Sequence, residues 1–248
     1  MSAEAIDAYF VCGGHYHDID YARLQLPALL GEHERIRTQV GTDYRDVEAI
    51  ERCWFLMTYT VDVVPDAAIS ARLRSYLECG HRWLALHGTN SVLRYARGRG
   101  WEAPRESRHF METLGSQFVA HPPLAPYRVE LTQSSHPLVA GFDAFDADDE
   151  LYLSELHPPF LTLLHTRWTG TAKGFAESDW SEDLPRPVMY LKTHGDGAVL
   201  YLTLGHARGR YDMRPLMEEY PQVERGSWKI PAFHELLRRA IRWAARLD

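Results

Sequence analysis

The sequence predicts an α/β protein with a mostly parallel sheet covered by helices on both faces. Three observations predict it. Short apolar runs at residues 6–12, 54–60 and 82–87 alternate with helical segments, an order that requires crossover connections. The first and third of these runs end on glycine turns, Gly13-Gly14 and Gly88, where a backbone can approach closely or take positive φ. Finally, His15, His17, His87, His121, His136, His157, His194 and His206 stand at strand ends, beside glycine or before proline. Histidines at strand mouths of such a sheet lie where ligands gather.

Taken in order, residues 6–12 read as a buried strand running into Gly13-Gly14. A helix over 21–33 follows, but Pro27 removes a helical hydrogen bond, so the helix starts near Pro27 or kinks there. Residues 34–40 alternate as a strand, 54–60 form an apolar strand, and Val64-Pro65-Asp66 opens a helix that runs to Cys79 and stops at Gly80. The strand at 82–87 leads into Gly88-Thr89-Asn90-Ser91, where Thr89 and Ser91 read as helix caps. Residues 101–118 carry a helical pattern. From His121, the prolines Pro122, Pro123, Pro126, Pro137, Pro158 and Pro159 break the chain into extended pieces that elaborate the core sheet. Residues 188–192 and 198–203 flank Thr193-His194-Gly195-Asp196-Gly197 and predict a hairpin. An amphipathic helix over 231–247 closes the chain, with Phe233, Leu236, Leu237, Ile241 and Trp243 on its apolar side. No repeat divides residues 1–248, which read as one domain.

Composition narrows the function. A hydrophobic fraction of 45% over 248 residues supports one substantial core. The net charge of -7 comes from 27 basic and 34 acidic residues with no long block of either sign, which argues against nucleic-acid and anionic-membrane partners. The run Arg94-Tyr95-Ala96-Arg97-Gly98-Arg99 reads as a solvated loop. No apolar stretch approaches the roughly 20 residues needed to span a bilayer. The segment Met1-Ser2-Ala3-Glu4-Ala5-Ile6-Asp7 lacks signal-peptide character, so a cytoplasmic location is expected. Cys12, Cys53 and Cys79 are odd in number without CxxC spacing and read as reduced thiols. With no GxGxxG or P-loop pattern, neither a nicotinamide or flavin cofactor nor ATP is expected.

The turn Gly13-Gly14-His15-Tyr16-His17-Asp18 brings two histidines and an aspartate to one sheet edge, either as a ligand site or as polar decoration. His87 takes the place where a nucleophile elbow presents its reactive residue, yet no Ser or Cys stands in a GxSxG frame. If the strand before His206 lies near that of His87, the two imidazoles face each other. Two histidines with a carboxylate ligate a divalent metal or act as general acid and base, and spacing alone leaves both open. Asp148-Asp149-Glu150-Leu151-Tyr152 reads as a solvated turn or as a carboxylate and tyrosine entering the site, while His121-Pro122 and His136-Pro137 also read as rigid turns. Trp83, Trp101, Trp168 and Trp180 read as core or interface residues. The candidate set is therefore His87, His206 and Glu150 as catalytic groups and Gly14, His15, Asp18, His121 and Tyr152 for substrate. His17, His87 and His206 are the candidate ligands of a divalent metal, zinc or manganese.

At these residues the sequence resembles the ThuA-like family of trehalose-utilisation proteins. The resemblance is carried by Gly13-Gly14 with His17-Asp18, Leu84-Ala85-Leu86-His87-Gly88, Gly115-Ser116-Gln117-Phe118 with His121-Pro122, His136-Pro137-Leu138-Val139-Ala140-Gly141, Asp149-Glu150-Leu151-Tyr152, and Gly195-Asp196-Gly197-Ala198-Val199 leading to Leu204-Gly205-His206. It implies a flavodoxin-like three-layer α/β/α sandwich of the class I glutamine amidotransferase type with a modified edge, and a role in carbohydrate catabolism. Working amidotransferases carry a cysteine at the elbow and a later histidine. Here His87 takes the elbow and His206 lies near the triad histidine's place, so glutamine hydrolysis through a thioester is not implied. The resemblance also implies pathways through 3-keto sugars, with a sugar oxidoreductase as pathway partner carrying the redox step.

Two functions follow. One is an enzyme acting on a sugar or 3-keto-sugar by hydrolysis, elimination or isomerisation, with histidines as acid/base groups or metal ligands. A ketone acidifies the neighbouring C–H, which calls for a base and a metal or donor at the oxygen. The other is a non-catalytic carbohydrate-binding or regulatory protein on a scaffold that lacks the cysteine nucleophile. A homodimer is expected from the aromatic content of the irregular segments, with no feature that specifies its interface.

Overall fold

In the computed structural model, which describes residues 4–247, the chain opens as β1 (Ile6–Gly14), α1 (Ile19–Leu30), β2 (Ile36–Gly41), α2 (Val47–Arg52), β3 (Phe55–Val61), α3 (Ala67–Glu78) and β4 (Arg82–Leu86). There follow a hairpin of β5 (Arg94–Ala96) and β6 (Gly100–Glu102), then α4 (Arg108–Leu114), β7 (Ser116–Ala120), β8 (Ala125–Leu131), β9 (Phe145–Asp149), β10 (Leu153–Leu156) and β11 (Leu161–Arg167). A short pair, β12 (Gly170–Thr171) and β13 (Asp179–Trp180), precedes β14 (Pro185–His194), β15 (Gly197–Leu202) and the closing α5 (Pro231–Ala245).

The main sheet has nine strands in the order β2-β1-β3-β4-β15-β14-β11-β8-β9. Its first five are parallel and follow the flavodoxin-like doubly wound order. The remaining contacts are antiparallel and form the modified edge. Strands β1, β3 and β4 are buried along almost their whole length because both of their faces are covered. Phe10, Met57, Tyr59, Leu84 and Leu86 share one core cluster with α1 and α5 residues such as Leu26 and Phe233. Their neighbours Val11, Leu56, Trp83 and Ala85 join Ile50, Leu73 and Phe110 of α2, α3 and α4 in the other. The strand period of two thus makes three layers, and the ends of β1 and β4 meet on one edge.

Several local expectations are corrected. The helix α1 starts at Ile19, where Asp18 accepts from Tyr21 N at 3.0 Å, and keeps Pro27 inside. A helical Pro costs about 3 kcal/mol; burial of Leu26, Leu29 and Leu30 against the sheet offsets it. Residues 101–118 hold only a short helix. Gly115 at φ 104 ends α4, and Ser116–Ala120 leaves as a strand paired with β10. No helix follows Thr89 and Ser91, so neither is a cap; Thr89 Oγ1 donates to Leu86 O at 2.7 Å. The run at 94–99 enters the β5–β6 hairpin instead of a loop. The hairpin at 185–202 forms, longer than predicted, but β15 stops at Leu202 and His206 lies in the loop beyond it.

Cys12 and Cys53 are buried and Cys79 is exposed. Burial pushes the Cys12 thiol up to about 12 and that of Cys53 up to about 11. A thiol titration of the native chain at pH 8 is therefore expected to count one rapidly reacting cysteine, rising to three in denaturant. Cys79→Ser should abolish the native count. Among the described residues no helix is long and apolar enough to cross a membrane.

Candidate metal centre

Four loops at the edge formed by the ends of β1, β4, β9 and β15 deliver His17, His87, Glu150 and His206 to one point. At the end of β1, Gly14 at φ 120 is required, because a Cβ there would lie 1.9 Å from Val61 O. Tyr16 follows at φ 68 and turns His17 inward while His15 faces solvent. His87 is the first residue after β4 and takes a strained φ of 45, held by Tyr201 OH on its carbonyl. The Asp149 carboxylate fixes the other two residues, accepting backbone N–H groups from Glu150, Gly205, His206 and Ser227 at 2.8, 3.0, 3.1 and 2.9 Å.

The facing atoms are close. His17 Nε2 lies 2.8 Å from His87 Nε2, 3.3 Å from His206 Nδ1 and 3.4 Å from Glu150 Oε2. Glu150 Oε2 is 3.6 Å from His87 Nε2, and its Oε1 is 3.1 Å from His206 Nδ1. Ligands of a tetrahedral ion with bonds near 2.1 Å sit roughly 3.4 Å apart. The set can thus hold a metal ion without large movement.

The far sides of the rings decide which lone pairs point inward. His87 Nδ1 meets Thr203 O at 2.8 Å and must donate, which leaves the Nε2 lone pair toward the cluster, where Tyr152 OH approaches to 3.2 Å. His206 Nε2 donates to Glu224 Oε2 at 2.8 Å and leaves Nδ1 facing inward. A carboxylate or carbonyl behind a ligating imidazole is the usual outer partner of a metal-bound histidine. His17 Nδ1 is buried without a partner, so only the cluster orients that ring.

Electrostatics separate the three histidines. Burial pushes His17 down to about 4 and His87 down to about 3, so both are neutral at physiological pH. Burial acts the same way on His206, but the charge and hydrogen bond of Glu150 and the bond to Glu224 outweigh it and raise the ring to about 9. Glu150 is itself held well below the usual carboxylate range: burial opposes this, and His206, His121 and hydrogen bonds to His17 and His206 overcome it.

A cavity of about 270 Å³ adjoins the cluster, reached by His17 and Glu150 and walled by Trp101, Phe118 and Phe175. His121 and Tyr152 also line it. Trp101 is thus a cavity residue as well as a packing one, while Trp83 is core. Gly14, His15 and Asp18 instead line a separate open cleft of about 490 Å³ that shares Tyr16 and His17 with the cavity. Asp18 is engaged as the α1 cap and with Arg225 at 2.9 Å. A larger cleft of about 740 Å³ runs beside Arg238, Arg242 and Trp243 of α5; of the eight histidines it holds only His136. His157 and His194 are elsewhere, near Glu155 and on Thr113 O.

Sequence reasoning missed three supporting residues: Asp149, Arg208 and Glu224. It also placed Glu150 outside the metal set, although the carboxylate stands as near the histidine nitrogens as they do to one another. Asp149 sits in an acidic run that drew attention, and its role needed only the knowledge that β9 ends there. Arg208 and Glu224 lie in a segment with no periodicity to read.

The family model for ThuA, trehalose utilisation, matches residues 17–219, which contain the whole cluster. The chain belongs to the ThuA family. Family membership carries a role in carbohydrate metabolism through trehalose utilisation. Similar solved structures include a ThuA-like protein from Bacteroides uniformis, at 16% identity and TM-score 0.70, covering 100% of this ThuA chain and 94% of that one. A ThuA-like protein from Parabacteroides merdae gives 15% identity and TM-score 0.64 over 98% of this chain and 90% of the other. A GMP synthase protein from Thermoplasma acidophilum gives 10% identity and TM-score 0.52 over 98% of this chain and 96% of the other, in line with the amidotransferase-like fold. No curated protein matches the chain. This ThuA protein carries His87 at the elbow, and none of its three cysteines enters the cluster.

Proposed function

We propose that this ThuA protein is a metal-dependent enzyme of carbohydrate catabolism acting on a sugar or 3-keto-sugar held in the aromatic-walled cavity. One observation carries the reading: His17, His87, Glu150 and His206 converge, with one ring nitrogen each of His87 and His206 aimed inward by outer partners, where the cavity begins. Three imidazoles and a carboxylate suit zinc or manganese. When bound, the ion would supply Lewis-acid stabilisation of charge on a ligand oxygen. The roles of His87 and His206 are then those of ligands, since the second nitrogen of each ring is engaged and both side chains are fully buried.

His121 is the histidine left for proton transfer. Its Nδ1 donates to Pro122 O at 2.7 Å, which leaves Nε2 as the ring atom that faces the cavity, 3.7 Å from Glu150 Oε1. The ring packs against Phe175 at 5.0 Å, which fixes its aim. A base beside a polarised carbonyl favours isomerisation or elimination, with the redox step left to a partner sugar oxidoreductase. The test is NMR of 3-keto-glucosides and unmodified glycosides with metal-loaded protein. Turnover lost on chelation and in His121→Ala supports the enzyme; tight binding of the sugar without turnover, indifferent to chelator, supports a carbohydrate-binding protein.

Metal uptake should also depend on pH in a defined direction. With His206 protonated below about 9, a cation must displace one proton from Nδ1, while the neutral His17 and His87 surrender none. Apparent zinc affinity is expected to rise roughly tenfold per pH unit up to about pH 9 and then level off. Calorimetry at pH 7.5 in buffers of different ionisation enthalpy should count close to one proton released per zinc.

A further inference from the structure

Past His206 the chain leaves the body of the protein at Arg208 and returns at Glu224. Arg208 N donates to Glu224 O at 3.0 Å and Glu224 N donates to Arg208 O at 2.8 Å, closing residues 209–223 into a loop with a two-bond base. No residue of that loop is buried. Many of its polar bonds are internal: Gly209 N to Asp212, Tyr220 N to Arg210 O, Arg210 to Glu219 and Arg214 to Glu218. Yet Met213 and Tyr220 line the cavity. A segment with so little buried contact opens at low free energy unless its base holds it.

The base is tied to the metal ligands, beside bonds of Arg208 Nε to Tyr16 O at 3.0 Å and of Arg225 Nη1 to Glu224 O at 2.9 Å. Arg208 Nη2 donates to Glu150 Oε1 at 3.0 Å, and Nη1 donates to Glu224 Oε2 at 3.0 Å. The same Glu224 oxygen accepts from His206 Nε2 at 2.8 Å. Tyr220 OH donates to Glu224 Oε1 at 3.2 Å and lies under the Arg208 guanidinium at 5.0 Å. Two of the four donors therefore reach the loop base through one hydrogen bond each. A divalent ion on His206 takes the place of the Nδ1 proton and keeps the ring's bond to Glu224 in place. The ion brings one more positive charge than the proton it displaces, beside two buried carboxylates that share a single guanidinium.

We infer that residues 209–223 are a lid over the substrate cavity, and that Arg208 and Glu224 are positioning residues that couple its closure to occupancy of the metal site. The inference rests on the metal reading above. Metal-loaded protein should hold Met213 and Tyr220 against the cavity, and metal-free protein should release them.

Amide hydrogen exchange of the full chain, with EDTA and with saturating zinc, tests this directly. Zinc is expected to slow exchange across 209–223 by about tenfold, in the range of ordinary site-to-site coupling, and to leave the amides of α3 unchanged. Arg208→Gln should bind zinc with that protection lost, and Glu224→Gln, which keeps the shape of the base, should reduce it. Zinc bound at one per chain with identical loop exchange in both states overturns the coupling and leaves the metal reading standing. Full protection retained in Arg208→Gln overturns it as well. A chain that takes up no zinc overturns both.

Discussion

Glu150→Gln is expected to lower zinc affinity by well over the 10–100-fold that loss of an outer partner costs. The amide keeps the volume of the side chain but removes the negative charge that stands 3.1 Å from His206 Nδ1 and 3.4 Å from His17 Nε2. It also leaves Arg208, which is mostly buried, with Glu224 as its remaining carboxylate. Competition against a chromophoric chelator reads the affinity. His136→Ala, in the cleft beside α5, should bind zinc as the native chain does. An unchanged affinity in Glu150→Gln would mean that the carboxylate is not a ligand and that the three histidines act without it.

Asp149→Ala is expected to give the largest loss of stability. Its carboxylate is buried and accepts four backbone N–H groups, from Glu150, Gly205, His206 and Ser227. Each buried donor left without a partner costs roughly 1–3 kcal/mol, so truncation should cost at least about 4 kcal/mol. In a chain of this size that lowers Tm by roughly 10 °C. Asp149→Asn retains one carbonyl oxygen and should lose about half as much. The melt is best recorded with EDTA present, so that lost metal does not contribute. A fall of less than about 3 °C would show that water replaces the carboxylate and that it does not organise the site.

The parallel half of the fold was legible because β1, β3 and β4 hold mostly apolar runs without polar alternation, as strands covered on both faces do. Pro27 misled because local propensity speaks against it, while Leu26, Leu29 and Leu30 supply burial that propensity does not register. Residues 101–118 misled because three elements share them: β6 ends at Glu102, and Gly115 divides α4 from β7.

The site was legible at its strand ends. His17, His87 and the Glu150-Leu151-Tyr152 segment each follow a strand, so the topology alone brings them to one edge. His15 was grouped with His17 because both stand in the turn that follows β1, at one sheet edge. Tyr16 between them takes φ 68, and the turn leaves His15 exposed while it buries His17. Arg208 and Glu224 meet only when a loop closes on itself, and no periodicity encodes that closure. The donor set was thus readable in kind, and its outer partners were not.

A metal ion held by His17, His87, Glu150 and His206 would be visible by its anomalous scattering. Diffraction from crystals of protein purified without chelator, collected above and below the zinc and manganese absorption edges, tests it most directly. One anomalous peak is expected among the four donor atoms, about 2.0–2.2 Å from each. Crystals from zinc-supplemented solution with no peak there, or with the ion only at surface histidines such as His15, would contradict it.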